Sequence, residues 1–261
     1  MLRDICRFAE AVVLMRGAVA LQKDLCAQDP SESESELAEL MQDLSDDLYE
    51  SKCFADSCAV DEEVILILCR LCMDKINHHR EQLAVAMMGY AVHLSAMKRQ
   101  EEACAADRTC IEIFRELHAL NPRSYSNPLA HALRSYGNHL HILNKYVEER
   151  DSLEESIFLH REWLETDAAT HIPGLATSLH QCALALHNLK LFQQACKMSK
   201  ECIVLRTQLY EQDSAKYRGD LISSIEDQAI FLRSVGRIKE SNAICEEINF
   251  LKSSSSDSED E

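Results

Sequence analysis

The chain repeats itself every 46 residues. Leu37, Leu83, Leu129, Leu175 and Leu221 stand at that spacing, and each opens a similar segment: LAELMQDLSDDL, LAVAMMGYAVHL, LAHALRSYGNHL, LATSLHQCALAL and LISSIEDQAIFL. A period of this size makes each unit one supersecondary element that buries its apolar face only against its neighbours. Counting offsets from the leading leucine, offset 4 holds Met41, Met87, Leu133, Leu179 and Ile225. Offset 8 is always small (Ser45, Ala91, Gly137, Ala183, Ala229), and offset 11 is always leucine (Leu48, Leu94, Leu140, Leu186, Leu232). Spacings of 4, 8 and 11 place these residues on one face of a helix, with the small residue admitting a close neighbour.

At offset 15 stand Lys52, Lys98, Asn144, Lys190 and Gly236. Asn and Gly tolerate the left-handed backbone that ends a helix, so a turn is expected there. Asn127 before Pro128, and Pro173 ahead of Leu175, read as helix starts, since proline suits a first helical turn. A second helix follows the turn, marked by Ile65, Ile111, Ile157 and Ile203 at offset 28 and by Leu71, Leu117, Trp163 and Leu209 at offset 34. The register extends backwards through Phe8, Ala11, Val19, Leu21 and Leu25, with Leu2 falling at the end of a first helix. The expected architecture is all-α. It comprises eleven helices: a half repeat over 1–28, then five helical hairpins starting near 37, 83, 129, 175 and 221, in an array ending at 252. The stretch DPSESESE, Asp29 to Glu36, is expected as a loop. The final segment, 253–261, is expected to be a disordered acidic tail. There Ser254, Ser256 and Ser258 each have an acid three residues on, as acidophilic kinases prefer.

These columns resemble the tetratricopeptide repeat (TPR) family, which places bulky, small and bulky residues on its first helix, an aromatic after the turn and alanines on its second. The aromatics are Phe54, Tyr146 and Phe192 at offset 17, with Phe8 in the half repeat; Ala11, Ala103 and Ala195 stand at offset 20. The unit LATSLHQCALALHNLKLFQQACKMSKECIVLRTQL is similar to the long repeats of kinesin light chains and of NB-ARC-associated arrays. The unit exceeds the minimal TPR length of roughly 34 residues, and the family's closing proline is absent at Cys69, Arg115, Arg161 and Thr207. HEAT or armadillo repeats, with periods of about 40–47, are the alternative. The resemblance covers Leu2 to Leu251. It implies an α-solenoid of stacked antiparallel hairpins, a TPR-like superhelix, whose first helices line a concave groove.

The resemblance also implies a function: a scaffold that binds a protein or peptide partner in that groove. Its runner-up is a fragment of the C-terminal sensor array of an NB-ARC-type signalling ATPase. Groove positions are offsets 2, 5, 9 and 12 of the first helices. In the later repeats they supply His131, Arg134, Asn138, His141, His180, His187 and Arg233; in the first repeat, Glu39, Gln42, Asp46 and Tyr49. A groove running from acidic to basic favours an acidic partner segment, and binding is expected to strengthen as the four histidines charge below neutrality.

Composition narrows the function classes. A net charge of −17 disfavours nucleic acid and anionic lipid, and no apolar run reaches membrane-spanning length. Twelve cysteines invite a metal reading, above all Cys53, Cys58, Cys69 and Cys72. The register instead puts Cys58, Cys104 and Cys196 in one packing column and Cys110 with Cys202 in another, as small apolar residues of a reducing compartment, the cytosol or nucleus. Six glycines supply neither a phosphate loop nor a nucleophile elbow. No catalytic role, cofactor or metal is therefore expected. The uncovered apolar face of the half repeat, built from Phe8, Val12 and Val19, is expected to drive self-association or to be covered by a partner.

Overall fold

The computed structural model describes residues 2–28, 30–73 and 77–253. Among them the chain forms eleven α-helices and no strand: α1 (Leu2–Gln28), α2 (Pro30–Glu50), α3 (Phe54–Cys72), α4 (Asn77–Ala96), α5 (Gln100–Leu120), α6 (Pro122–Ile142), α7 (Tyr146–Glu162), α8 (Ala168–Asn188), α9 (Phe192–Gln212), α10 (Ser214–Ser234) and α11 (Ile238–Ser253). They group into two compact units, one ending at His139 and the other starting at Leu140, so the division falls inside α6. In the first unit each of α1 to α4 packs on the next helix, and α2 also touches α4. In the second, each of α7 to α10 packs on the next, and α8 touches α10. Consecutive hairpins stacked in this way are the architecture that the 46-residue period implies.

The turn column is borne out. Lys52, Lys98, Asn144 and Lys190 adopt φ near +60°, and Gly236 has φ 78°. Each is followed by an N–H that reaches back five residues to the carbonyl of the leucine column: Cys53 to Leu48, Arg99 to Leu94, Lys145 to Leu140, Leu191 to Leu186 and Arg237 to Leu232, at 2.8–3.0 Å. This closes the open carbonyls of each first helix. The same leucines are at most 1% exposed, so one column both seals the turn and fills the core.

Helix starts lie earlier than the prolines indicate. Pro128 and Pro173 sit inside α6 and α8, where their missing N–H leaves one carbonyl of the preceding turn without its helical donor. The true starts form a column of their own at Asn121, Asp167 and Asp213, spaced by 46 residues. Their side chains accept from the backbone N–H of Ser124, Thr170 and Lys216 respectively, which is the role of an N-cap. Both helices of the unit are therefore long, typically 21 residues each.

Two expectations at the amino end fail. The segment expected as a loop is helical from Pro30 onward, because proline suits the first helical position and acids suit the first turns. Nor does a turn separate the end of a first helix from the half repeat, since α1 runs unbroken from Leu2 to Gln28. Continuing the helix through this stretch adds a hydrogen bond per residue. The apolar face of α1 is also composed differently. Val19 is buried and Val12 half-buried, while Val13, Leu14, Leu21 and Leu25 are exposed; the Phe8 side chain lies outside the described residues. The tail beyond Ser253 lies outside them as well.

Candidate partner-binding face

On the first helices the buried columns leave offsets 2, 5 and 9 off the core face, whereas offset 12 meets the second helix of its own hairpin: Tyr49 with Phe54, His141 with Glu149, His187 with Phe192 and Arg233 with Cys245. His131 and Asn138 are exposed on α6 and Arg134 is half-buried between them. His131 Nδ1 lies 3.2 Å from Met88 Sδ on α4. Burial, with the neighbouring Arg134 charge, holds the His131 imidazole below its ordinary pKa. Burial alone lowers Arg134.

In the second unit the predicted residues are engaged within the protein. His141 Nδ1 contacts both oxygens of the buried Glu149 at 3.0 and 3.1 Å; burial raises the Glu149 pKa and His141 opposes it. His187 lies against the rings of Phe192 and Phe231, with Nε2 3.1 Å from Ser234 Oγ. Arg233 reaches Cys245 Sγ at 3.4 Å. His180 is pushed down to about 4, first by burial and then by Arg206, against a smaller pull from Asp220. Its Nε2 stands 3.6 Å from Asp227, yet the ring stays neutral near pH 7. The expected charging of four histidines below neutrality therefore does not hold for His180, and the lowered pKa of His131 acts the same way. Fixed positive charge on this face comes from Arg134 and Arg233.

Buried polar groups form a second pattern, which the sequence reading missed. His93 Nδ1 lies 2.6 Å from Asp61 Oδ2, and His139 Nδ1 lies 2.5 Å from Asp107 Oδ2, each pair 32 residues apart and buried. The signal was present in the register: an acid at offset 24 and a histidine at offset 10 of the next repeat. In the later repeats these positions are Leu153 with Ala185 and Ser199 with Phe231, so both dyads belong to the first unit. Around His93, Ser57 Oγ stands 2.8 Å from Nδ1, Ser45 Oγ donates to Asp61 Oδ1 at 2.5 Å, and the Tyr49 ring stacks at 4.6 Å. Serine, histidine and aspartate are all present, as in acyl-transfer sites. Ser57 and Asp61, however, share one ring nitrogen, and both serines are fully buried. A nucleophile needs its base on the opposite nitrogen and an open approach for substrate. The cluster therefore works as a packing network.

His160 and His171 make a buried imidazole pair in the second unit, Nδ1 to Nδ1 at 3.1 Å. Cysteine burial agrees with the packing reading: burial raises the Cys110 and Cys182 thiols to about 12 and Cys58 to about 11. Among the described residues, no group of three or more His, Cys, Asp or Glu side chains could hold a metal ion, and no helix is long and apolar enough to cross a membrane.

Comparison with known proteins gives the fold its class. No protein-family model matches the chain, and no curated protein sequence matches it. Solved structures do. BtubC (BKLC) from P. vanneervenii superposes with a TM-score of 0.73 at 13% identity, over 95% of this chain and 91% of that one. A putative kinesin light chain with nearly identical TPR-like repeats from Podosopora anserina gives 0.68 at 14% identity, over 87% and 99%. MamA from Desulfovibrio magneticus RS-1 gives 0.50 at 14%, over 84% and 96%. At these identities the likeness establishes the fold alone: the chain is an all-helical, TPR-like repeat protein.

Proposed function

We propose that this chain is a protein-interaction scaffold that holds a segment of a partner protein against its first helices, at His131, Arg134 and Asn138 in the first unit; His141, His180, His187 and Arg233 stand at the expected register positions of the second unit. The observation that carries this reading is the exposure of Val85 and Val92 on α4, at offsets 2 and 9, beside Arg134 and its polar neighbours on α6. Each valine keeps over a third of its surface open, 38% and 37%, at equivalent positions of one helix face, which leaves an apolar strip for a partner side chain to cover. Its TPR-like fold and strongly acidic balance support a protein partner over nucleic acid. The buried, protonated thiols fit a reducing compartment, cytosol or nucleus. Nothing among the described residues favours the sensor array of a signalling ATPase.

The test is site-specific photo-crosslinking with benzoylphenylalanine at Val85, and at the exposed Glu112 of α5 as control. A discrete partner captured from Val85 and not from Glu112 is the expected result. Capture from Glu112 alone would move binding to the second helices and refute the assignment. The same proposal extends to α1, whose exposed Leu14, Leu21 and Leu25 form one stripe that a second copy of the chain would cover. Light scattering of the chain beside Leu21→Glu checks it, and equal monomeric masses at high concentration would remove it.

A further inference from the structure

Three neighbouring helices of the first unit carry three different chemistries at the same register positions. Offsets 2 and 9 are Glu39 and Asp46 on α2, Val85 and Val92 on α4, and His131 and Asn138 on α6. Offset 5 adds Met88 on α4 and Arg134 on α6, both half-buried. The helices are adjacent: Gln82 of α4 donates to Glu39 at 2.7 Å, and Tyr125 of α6 donates to Glu81 of α4 at 2.9 Å. The face is therefore striped, with acids on α2, an apolar strip on α4 and, on α6, one cation, Arg134, between the polar His131 and Asn138.

Arg134 gives the stripe its direction. Among the described residues nothing accepts a hydrogen bond from its guanidinium, and no carboxylate lies within 4.0 Å, while other arginines of this unit, Arg16, Arg70 and Arg99, have carboxylate partners. A half-buried guanidinium with no acceptor among the described residues, its nitrogens left to solvent, binds a carboxylate strongly when one is offered. The apolar strip beside it favours an apolar side chain. The acids on α2 repel a second carboxylate and attract a base.

We propose that this face holds a partner segment in which an apolar side chain sits next to a carboxylate, the apolar group over Val85, Met88 and Val92 and the carboxylate on Arg134. It rests on the scaffold reading and adds the partner's chemistry and its orientation across the three helices. A basic residue of the segment turns toward Glu39 and Asp46.

Fluorescence anisotropy with the full chain and three labelled synthetic peptides of equal length tests this. One pairs leucine with glutamate, one leucine with lysine and one serine with glutamate. The leucine–glutamate peptide binds tightest, and rising salt weakens it. Arg134→Glu and Val92→Glu each lower its affinity by about tenfold or more, Arg134→Lys retains most of it, and helical content is unchanged in all three variants. Equal or tighter binding of the lysine peptide overturns the proposal. So do equal binding of the serine peptide, indifference to Arg134→Glu, and failure of all three peptides to bind. A partner crosslinked from Val85 whose capture ignores Arg134→Glu would leave the scaffold standing and remove this chemistry, whereas no capture from Val85 removes both.

Discussion

Gly174 sits in the interior of α8 directly after Pro173, pairing the two poorest helix formers in one turn. The space around it explains why. A Cβ added there would lie 2.4 Å from His160 Cε1 and 2.5 Å from Nε2. His160 is 2% exposed and is tied to His171 through the Nδ1 contact. In Gly174→Ala the imidazole must swing away, giving a crowding cost of about 1–3 kcal/mol and an unpaired buried nitrogen worth about 1–3 kcal/mol. Better helix propensity returns roughly 1 kcal/mol. The net is a loss of about 1–5 kcal/mol from these terms. Gly89, inside α4, meets nothing within 4 Å, so Gly89→Ala should instead gain about 0.5–1 kcal/mol. Urea unfolding followed by circular dichroism gives both signs, and hydrogen exchange should show the Gly174→Ala loss concentrated in α7 and α8. The double variant Gly174→Ala/His160→Ser should cost less than the sum of its parts. If Gly174→Ala is as stable as the parent chain, the close approach of α7 to α8 is misplaced and the argument fails.

Three further outcomes follow from other residues. Leu140→Ala removes a fully buried side chain and should cost about 2–5 kcal/mol; an unchanged denaturation midpoint would contradict the leucine column. Lys98→Gly, at φ 63°, should stabilise by about 1 kcal/mol because a left-handed lysine is strained, and a loss of stability would show that the lysine side chain matters more than its backbone. His180, held near 4, takes up its proton in the unfolded chain first as pH falls. Its contribution is therefore complete above about 6.5 and disappears as pH drops toward 4, while His180→Gln should flatten that slope. A proton-NMR titration midpoint near 6.5 for His180 would refute it.

The fold was largely legible because its signals are local and periodic. Offsets 4, 8 and 11 named the core, and Asn144 with Gly236 in one column announced a left-handed turn that Lys52, Lys98 and Lys190 also adopt. The helix starts were misread because proline is a louder signal than a cap. Asn121, Asp167 and Asp213 share a register position, but a capping side chain looks like any loop residue until the helix behind it is seen. The candidate face was legible only as a set of positions. Whether a histidine there carries charge depends on its burial and then on its cross-helix neighbour, as for the buried His180 beside Arg206, and helical periodicity gives neither. The His93–Asp61 and His139–Asp107 dyads escaped for a related reason. Both partners are polar, and an apolar pattern search passes over a pair of columns that holds Asp and His in two repeats but Leu153 with Ala185 and Ser199 with Phe231 in the next two.

The single-residue links have a consequence for how such a chain tolerates changes in length. Asn121 alone joins α5 to α6, and Asp213 alone joins α9 to α10. Each is also the cap of the helix it introduces. Surface connections ordinarily absorb insertions, but one residue added at either point has no slack to occupy. It would enter the following helix instead, turning every later side chain of that helix by about 100° and carrying its leucines out of the core. Residues 163–167, between α7 and α8, are different: five residues intervene, with Glu165 and Thr166 exposed. An epitope, a fluorophore-bearing loop or a protease site placed after Glu165 should be accommodated, whereas the same cassette beside Asn121 or Asp213 should prevent the unit from folding.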